Sequence, residues 1–557
     1  MSMKPPFQAP QLEPLSPSVK RVLLFLLLVA LIITAADGSK FRGDERFYTD
    51  AALQMMRTGD HWTPTYADGQ IRLLKPIFTY WAVLVPFKIF GISFFASRFL
   101  FACAAAAMIW VTYRIARTIF RSELTACLAA IIAASNTEIL TMGTRSTPDI
   151  LLALSVVTSV WGFARIWFER NTGVISWLLA LGGMGCAVQV KGLLGICPLG
   201  MLVLFRIFSR EKAPPLRISA VLPGLSIGVA LGLFWYVVML NRHGFGAMGD
   251  FYSDQVGTRI SKSIGFVLGN FAAYVFGAIR HSAAFCLVLT IAWKNASTSI
   301  REQLRKHRST AIFLLSLFVL LVFCFCFGNI RRPRYLTASY PLLAIFVAWL
   351  LATALAQENV QRRVLRWIGC VFLFVIPIAL IGAVAGLTIH WGLATALFLI
   401  AFVGFAGFYL VRLGKIIPSL AAVSALVVSA FLIGGLAVRT TVKPSPWPQI
   451  ASLLQDSAIE PICLLGFSEA EAAQLRICLK GKTDIRSITT NDLPKLTNWS
   501  TILTSSDLRG SVTSDVVSSA PINLQDTPLT DSWIGRKMIK KKKTENSDPW
   551  IVSHERH

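Results

Sequence analysis

The chain has 557 residues, of which 54% are hydrophobic and 15% charged, with a mean hydropathy of +0.60. Soluble domains carry about 25% charged residues, so this composition excludes an ordinary water-soluble enzyme. Subtracting 29 acidic from 54 basic residues leaves +25, but residues 1–440 hold 40 basic and 16 acidic residues and the remainder 14 and 13. The excess therefore belongs to a membrane part, where basic residues flank helices, and does not call for nucleic acid.

Apolar runs near 20 residues long match the length of helix that crosses about 30 Å of hydrocarbon. They predict about thirteen spans, centred near residues 28, 105, 131, 157, 182, 200, 228, 285, 318, 345, 377, 400 and 428. In lipid every backbone polar group needs an internal partner, so the spans must be helices. The fold class expected is an all-α polytopic membrane protein with a small C-terminal α/β soluble domain. The membrane domain covers 1–440, with long outer loops at 37–92 and 241–278, and the outer domain covers 441–557.

The first run follows Lys20 and Arg21 and ends on Ala35 and Ala36. A cleavable signal peptide shares that pattern, but the loop that follows needs a tether, so the run is read as a retained helix. The short connections on one side are basic, as at Arg114, Arg117 and Arg121, or Arg362, Arg363 and Arg366. That marks them as cytoplasmic. An inside amino terminus and thirteen spans then place the segment beyond about 440 outside.

The first long loop opens with GDERFY at 43–48. Asp44 can cap a short interfacial helix to about Gly59, and a carboxylate there can also act as general base on an acceptor hydroxyl. Glu45 beside it, with Tyr80 and Trp81 of the later run LLKPIFTYW, would contact the acceptor. Lys75 in that run is placed to meet an anionic leaving group, or else to snorkel among interfacial aromatics.

Further along, Arg145 and Asp149 occur in RSTPD, Lys191 in VKG, Arg259 in the second long loop, and Arg331, Arg332 and Arg334 ahead of Tyr335 in RRPRY. Lys191 lies between two apolar runs, where a charge needs a partner or a role. Three cations at the outer end of a span run against the positive-inside trend, and a phosphate site would account for them. Cys463 and Cys478 are the two cysteines of the outer segment, and their pairing is left open. The basic run RKMIKKKK at 536–543 reads as a solvated tail.

Nucleotide and soluble-hydrolase signatures are missing: there is no G-x-x-x-x-G-K-[ST], no H-E-x-x-H, no G-x-S-x-G and no D-x-D. An ATP-driven pump or a cytoplasmic nucleotide-sugar enzyme is thereby disfavoured. The motifs DERFYTDAALQMMRTGDHW, LLKPIFTYW, TPDILLAL, VQVKGLLGICP and RRPRYLTASYPLLAIF occur in an order that resembles the lipid-carrier-dependent GT-C glycosyltransferases. The nearest resemblance is to bacterial aminoarabinose (lipid A) transferases, with protein O-mannosyltransferases related, over about residues 20–355.

That resemblance implies an inverting transfer from a polyprenyl-phosphate sugar to lipid A or another envelope acceptor. It places the enzyme in the bacterial inner membrane, among membrane lipids, with its site facing the periplasm. It maps catalytic roles onto Asp44, Lys75 and Asp149. It maps donor-phosphate contacts onto Lys191, Arg332, Arg334 and Tyr335, to which the outer cations Arg259 and Arg331 are added from the charge pattern. Two positions associated with a bound metal depart from the pattern, Leu74 and Gln255, so zinc is not expected. A different divalent cation among Asp44, Asp250 and Asp254 is left open. The alternatives are a protein O-glycosyltransferase, a transporter or flippase for a lipid-linked anion, or a scaffold subunit; paired repeats of the transporter kind are not evident in the sequence.

Overall fold

The computed structural model describes residues 13–37, 41, 43–209, 214–215, 217–252, 264–328 and 331–442, and then 445, 447–454, 462–465, 467–481, 485–488, 501–505, 518–521 and 549–553. In chain order the helices are α1 (Pro17–Ala35), α2 (Glu45–Thr58), α3 (Phe78–Phe90), α4 (Phe94–Phe120), α5 (Glu123–Ala134), α6 (Thr137–Gly143) and α7 (Pro148–Phe168). They continue as α8 (Val174–Trp177), α9 (Gly183–Lys191), α10 (Cys197–Phe208), α11 (Ile218–Tyr252), α12 (Ile264–His281), α13 (Ala283–Lys306) and α14 (Arg308–Cys326). After the 3-10 turn Pro333–Ser339 come α15 (Tyr340–Ala354), α16 (Glu358–Leu387), α17 (Trp391–Arg412), α18 (Ile416–Val428) and α19 (Gly435–Val442).

Among the described residues, ten helices are long and apolar enough to span a membrane, or up to twelve when each of two bent pairs counts as one span. Counted as twelve, they are one short of the thirteen expected, and the place is a stretch counted once in which the chain turns back on itself. The runs centred near 182 and 200 form a single helical stretch, Val174–Phe208, of 35 residues. It is interrupted where Gly192 takes φ 64° and ψ −136°. A side chain there would meet the left-handed steric penalty that glycine escapes. The bend directly follows Lys191, and a methyl built on Gly195 would lie 2.3 Å from the Val188 nitrogen, so the chain after the bend packs back on α9.

The bundle centre is formed by α4, α7 and the Pro333–Ala354 span, the most deeply buried of the long helices, whereas α11 is the least buried. Ile218, Leu222, Leu225, Val229, Leu233 and Val237 of α11 are exposed, the pattern of a lipid-facing helix, since lipid tails are as apolar as leucine. Small residues set the closest approaches: a methyl built on Gly162 would lie 2.3 Å from the Ala180 nitrogen, and one on Gly185 would lie 2.4 Å from the Gly228 carbonyl oxygen.

Both bent pairs break at polar residues, and the breaks meet. The chain turns by 62° between α5 and α6 and by 84° between α12 and α13. Asn136 Nδ2 donates to Ser282 Oγ at 3.0 Å, and Thr137 Oγ1 lies 2.8 Å from His281 Nδ1. The Glu138 carboxylate stands 3.4 Å from His281 Nε2. Broken spans leave backbone groups that need partners away from water, and side chains of the opposing break lie against each turn.

Past α19 lie α20 (Trp447–Leu454), β1 (Ile462–Leu465), α21 (Glu469–Cys478), β2 (Ile485–Ile488), β3 (Thr501–Ser505), β4 (Ser518–Pro521) and β5 (Pro549–Ser553). The strands make one sheet in the order β2-β1-β3-β5-β4. β1 runs parallel to β2 and β3, and β5 antiparallel to β3 and β4. Cys463 lies on β1 and Cys478 ends α21. The basic run 536–543 lies outside the described residues.

Candidate active site

The first loop is held to the bundle by a buried ion pair. Glu45, on the first turn of α2, accepts from Arg98 Nε at 2.8 Å and Nη2 at 3.1 Å, and from the Ser146 backbone nitrogen at 2.9 Å. The Glu45 and Arg98 side chains are 0% and 1% exposed. Glu45, expected to contact the acceptor, thus has both carboxylate oxygens engaged with Arg98 on α4 and no solvent-facing surface. Arg98 Nη1 also reaches the Asp37 carbonyl at 2.6 Å, and Arg439 of α19 binds the Asp37 carboxylate at 2.7 Å. Removing one member of such a buried pair strands the other charge, at a cost of about 3–5 kcal/mol.

Asp44, immediately before α2, is the N-cap residue, yet its side chain makes no capping hydrogen bond. It instead accepts from Arg334 Nη2 at 2.5 Å. The same guanidinium places Nε 3.6 Å from the Asp149 carboxylate. Asp149, in the first turn of α7, accepts from Lys191 Nζ at 2.7 Å and is 2% exposed. Lys191 Nζ lies 4.7 Å from the centre of the Tyr335 ring, close enough for a cation–π attraction. Tyr335 in turn packs on Phe325 of α14 with centroids 4.6 Å apart. Five residues from four separated segments thus form one alternating chain of charges: Asp44, Arg334, Asp149, Lys191, then the Tyr335 ring.

Asp44 is the member open to solvent, at 38% exposed. Partial burial would raise its carboxyl pKa, but Arg334 first, then Arg332 and Arg72, outweigh that and hold it below the usual carboxylate value. Asp44 is therefore ionised through the neutral range. Positive field from three arginines suits a carboxylate that orients charged or polar substrate, and it makes that carboxylate a weak general base.

Arg72 is a functional candidate that the sequence reading passed over. It is buried, its Nη1 donates to Tyr80 Oη, and its guanidinium carbon stands 4.9, 5.3, 5.5 and 5.8 Å from the ring centres of Phe47, Tyr48, Tyr66 and Tyr80. Its Nε is buried without a hydrogen-bond partner. The available signal was a cation three residues ahead of Lys75 among loop tyrosines, but those tyrosines are spread over 33 residues of sequence. Tyr80, also expected to contact the acceptor, is wholly buried against this cage. Trp81 is half-buried; its Nε1 donates to the His61 carbonyl at 2.8 Å, and it stacks on Phe78 and Phe234.

Lys75 is half-buried at the turn into α3, with Nζ 2.9 Å from the Leu74 carbonyl oxygen. Arg331 Nε donates to Asn270 Oδ1 at 2.9 Å, anchoring the arginine cluster to α12, and the Arg332 backbone nitrogen lies 3.4 Å from Tyr274 Oη. Arg259, Asp254 and Gln255 lie outside the described residues, as does the side chain of Asp250. Leu74 offers no side-chain ligand, and its carbonyl oxygen is engaged by Lys75. Among the described residues no three His, Cys, Asp or Glu side chains are grouped to hold a metal.

Residues 74–239 match the family described as dolichyl-phosphate-mannose-protein mannosyltransferase. The crystal structures of ArnT from Cupriavidus metallidurans, apo and bound to undecaprenyl phosphate, superpose with a TM-score of 0.70 over 97% of this chain and 98% of theirs, at 17% and 16% identity. This is the GT-C fold. Among sequence relatives, an uncharacterized protein of Aquifex aeolicus is 26% identical over 341 residues, covering 59% of this chain and 64% of its own. An undecaprenyl phosphate-alpha-4-amino-4-deoxy-L-arabinose arabinosyl transferase of Yersinia pestis is 25% identical over 383 residues, covering 65% and 64%. The aligned part spans 64% of the length of each of these relatives. Within the GT-C fold, the charged chain draws on the family-matched segment through Asp149 and Lys191 and on residues outside it through Asp44 and Arg334.

Proposed function

We propose that this chain is an inverting glycosyltransferase. It would move a sugar from a polyprenyl-phosphate donor to lipid A or another envelope acceptor, at the outer leaflet of the bacterial inner membrane with the site facing the periplasm. The observation that carries the reading is the Asp44–Arg334–Asp149–Lys191 chain, four charges from separated segments assembled within the GT-C fold. Four alternating charges cancel, and Arg332 and Arg72 add positive field at Asp44. A site of that sign suits a substrate whose reacting part is a phosphate ester.

In the transfer, the bond between the anomeric carbon and the donor phosphate oxygen breaks with its electron pair going to the phosphate. A new bond forms to the acceptor oxygen on the opposite face. The leaving phosphate gains charge, and fixed cations in a partly dry site stabilise it without reorganising. Lys75, Arg331 and Arg332 are the proposed contacts. Lys191, already held by Asp149 at 2.7 Å, is assigned to fix Asp149 and through it Arg334. A hydroxyl acceptor would give its proton to Asp44; a phosphate acceptor has none to give, and Asp44 would then orient it. The metal-associated positions hold no fitting ligand at Leu74, so no step is assigned to a metal.

The meeting of two broken spans favours a second reading, a flippase for a lipid-linked anion, since discontinuous helices line transporter sites. The experiment that separates them uses purified protein with a polyprenyl-phosphate sugar. Release of polyprenyl phosphate with formation of a glycosylated acceptor, lost in Asp44→Asn, supports transfer. Movement of intact donor across a vesicle membrane with no such product would replace it. Mass spectrometry of lipid A and surface glycans from cells with and without the protein then names sugar and acceptor.

A further inference from the structure

The helix that follows Asp44 is gripped from a distant part of the chain. Asp50, two turns along α2, is buried and accepts from Arg476 Nη1 of α21 at 3.0 Å. The Arg476 fork is otherwise filled: Nη2 donates to Glu469 Oε2 at 3.1 Å, and Nε and Nη2 donate to the Ile485 carbonyl at 3.1 and 3.0 Å. One guanidinium thereby ties α2 to α21 and to β2. Asp50 Oδ1 is buried with no partner, so the arginine is the hydrogen-bonding contact that offsets taking this carboxylate out of water.

The apolar packing repeats the arrangement. Ala473 and Ile477, one turn apart on α21, belong to the core of the membrane bundle. Ala472, Leu475 and Leu479, on another face, belong to the separate core of the C-terminal unit with Trp447, Ile450 and Ile462. A methyl built on Gly481, just past α21, would stand 3.2 Å from Leu53 Cδ2 and 3.4 Å from Ile92 Cδ1. The turn after α21 therefore rests directly on α2 and on the connection between α3 and α4.

We propose that the C-terminal α/β unit clamps α2, and that Arg476, through Asp50, is a positioning residue that keeps Asp44 in register with Arg334. The proposal rests on the transfer reading given above for what Asp44 does. Its physical basis is that a helix moves as a stiff rod. From Asp50 to Asp44 is six residues, about 9 Å at 1.5 Å per residue, and the Asp44–Arg334 contact at 2.5 Å does not survive a tilt of that rod by an ångström or two. Displacement on that scale costs a reaction about 100-fold. Neither Asp50 nor Arg476 touches the charged chain, so both act through α2.

The test uses the full chain with three variants, Arg476→Lys, Arg476→Met and the double variant Asp50→Asn with Arg476→Met. The double variant carries no stranded buried charge, which guards against loss of folding. Two readouts are taken: hydrogen exchange of residues 45–58, and the transfer rate as a function of pH and donor concentration. The clamp predicts faster exchange across 45–58 in both Met variants, and a fall in kcat of roughly 10-fold to 100-fold with KM for the donor changed much less. It also predicts a loss of rate near pH 6 in wild type, where burial pushes the Asp50 carboxyl up to about 6 and its protonation slackens the 3.0 Å contact with Arg476, a loss absent from the double variant, and a partial return toward wild type in Arg476→Lys. Wild-type exchange and a wild-type pH profile in the folded double variant would overturn the clamp. If the wild-type protein transfers no sugar, the exchange readout alone decides the clamp, so the failure of either idea is recognised separately.

Discussion

Asp44 shows how two readings of one residue are decided by where its side chain goes. An aspartate ahead of an apolar-striped segment is ordinarily an N-cap, and Asp44 does occupy that position, but its carboxylate turns away to Arg334. Sequence order could not reveal this, because Arg334 is 290 residues distant. With Arg334 outweighing burial, the folded pKa of Asp44 is depressed. The contact thus contributes stability above the ordinary carboxylate pKa of about 3.9 and loses it as pH falls through the depressed value. Below the loss that the clamp predicts near pH 6, where burial pushes the Asp50 carboxyl up to about 6, Arg334→Met should move the Asp44 acid limb upward, toward or past pH 4. An unmoved limb in the folded variant would mean that the limb belongs to another group. Lys75 and Leu74 supply a second expectation. With the Leu74 carbonyl engaged by Lys75 and no ligand on the leucine side chain, turnover should survive a strong chelator, while Lys75→Ala should lower it by about 2.7–4 kcal/mol, the scale of one preorganised electrostatic donor. Chelator-sensitive turnover restored by zinc would show ligands drawn from elsewhere in the chain. Glu45 teaches the opposite lesson: its adjacency to Asp44 implied a shared role, and helical geometry placed it on a buried face against Arg98 instead.

At the scale of elements, the apolar runs predicted the long helices well because lipid leaves a chain few alternatives. Breaks were less legible. Runs near 131 and 285 were read as single spans, but polar residues at 135–137 and 281–282 bend them by 62° and 84°, and their partners lie about 145 positions away in the chain. The Lys191–Gly192 pair was visible as a turn, whereas its use was not: the bend presents Lys191 Nζ to Asp149 on α7. At Gly192 a Cβ meets both the unusual backbone angles, φ 64° and ψ −136°, and a buried site. Gly192→Ala should therefore cost more than the roughly 1 kcal/mol that separates the two residues in ordinary left-handed turns, and it should swing Lys191 off Asp149. The measurement is melting temperature beside transfer rate. A variant that melts like wild type and keeps its rate would show that the bend is not what sets Lys191.

The whole molecule is tied together on one face. Asp37 and Asp50 of the first loop region meet Arg439 at the end of the last apolar helix and Arg476 in the C-terminal unit, so that unit and the charged chain share a side. Arg98 binds both the Asp37 carbonyl and Glu45, and one buried guanidinium thereby links the exit of α1 to the start of α2. At the other face Glu123 gathers Lys20, Arg117 and Tyr113, joining α1, α4 and α5 through the basic short connections that the positive-inside rule assigns to the cytoplasm. We propose from these faces a cytoplasmic amino terminus and a periplasmic C-terminal unit. That orientation is testable without any assay of sugar transfer. A reporter active only in the cytoplasm should be silent when fused after residue 445 and active when fused within the connection at Arg121, and a periplasm-dependent reporter should give the reverse. Cytoplasmic activity after residue 445 would place α2, Asp44 and the clamp inside the cell, because Asp50–Arg476 at 3.0 Å does not allow the C-terminal unit and the first loop to lie on opposite sides. The polyprenyl-phosphate reading would then need a donor presented at the inner leaflet.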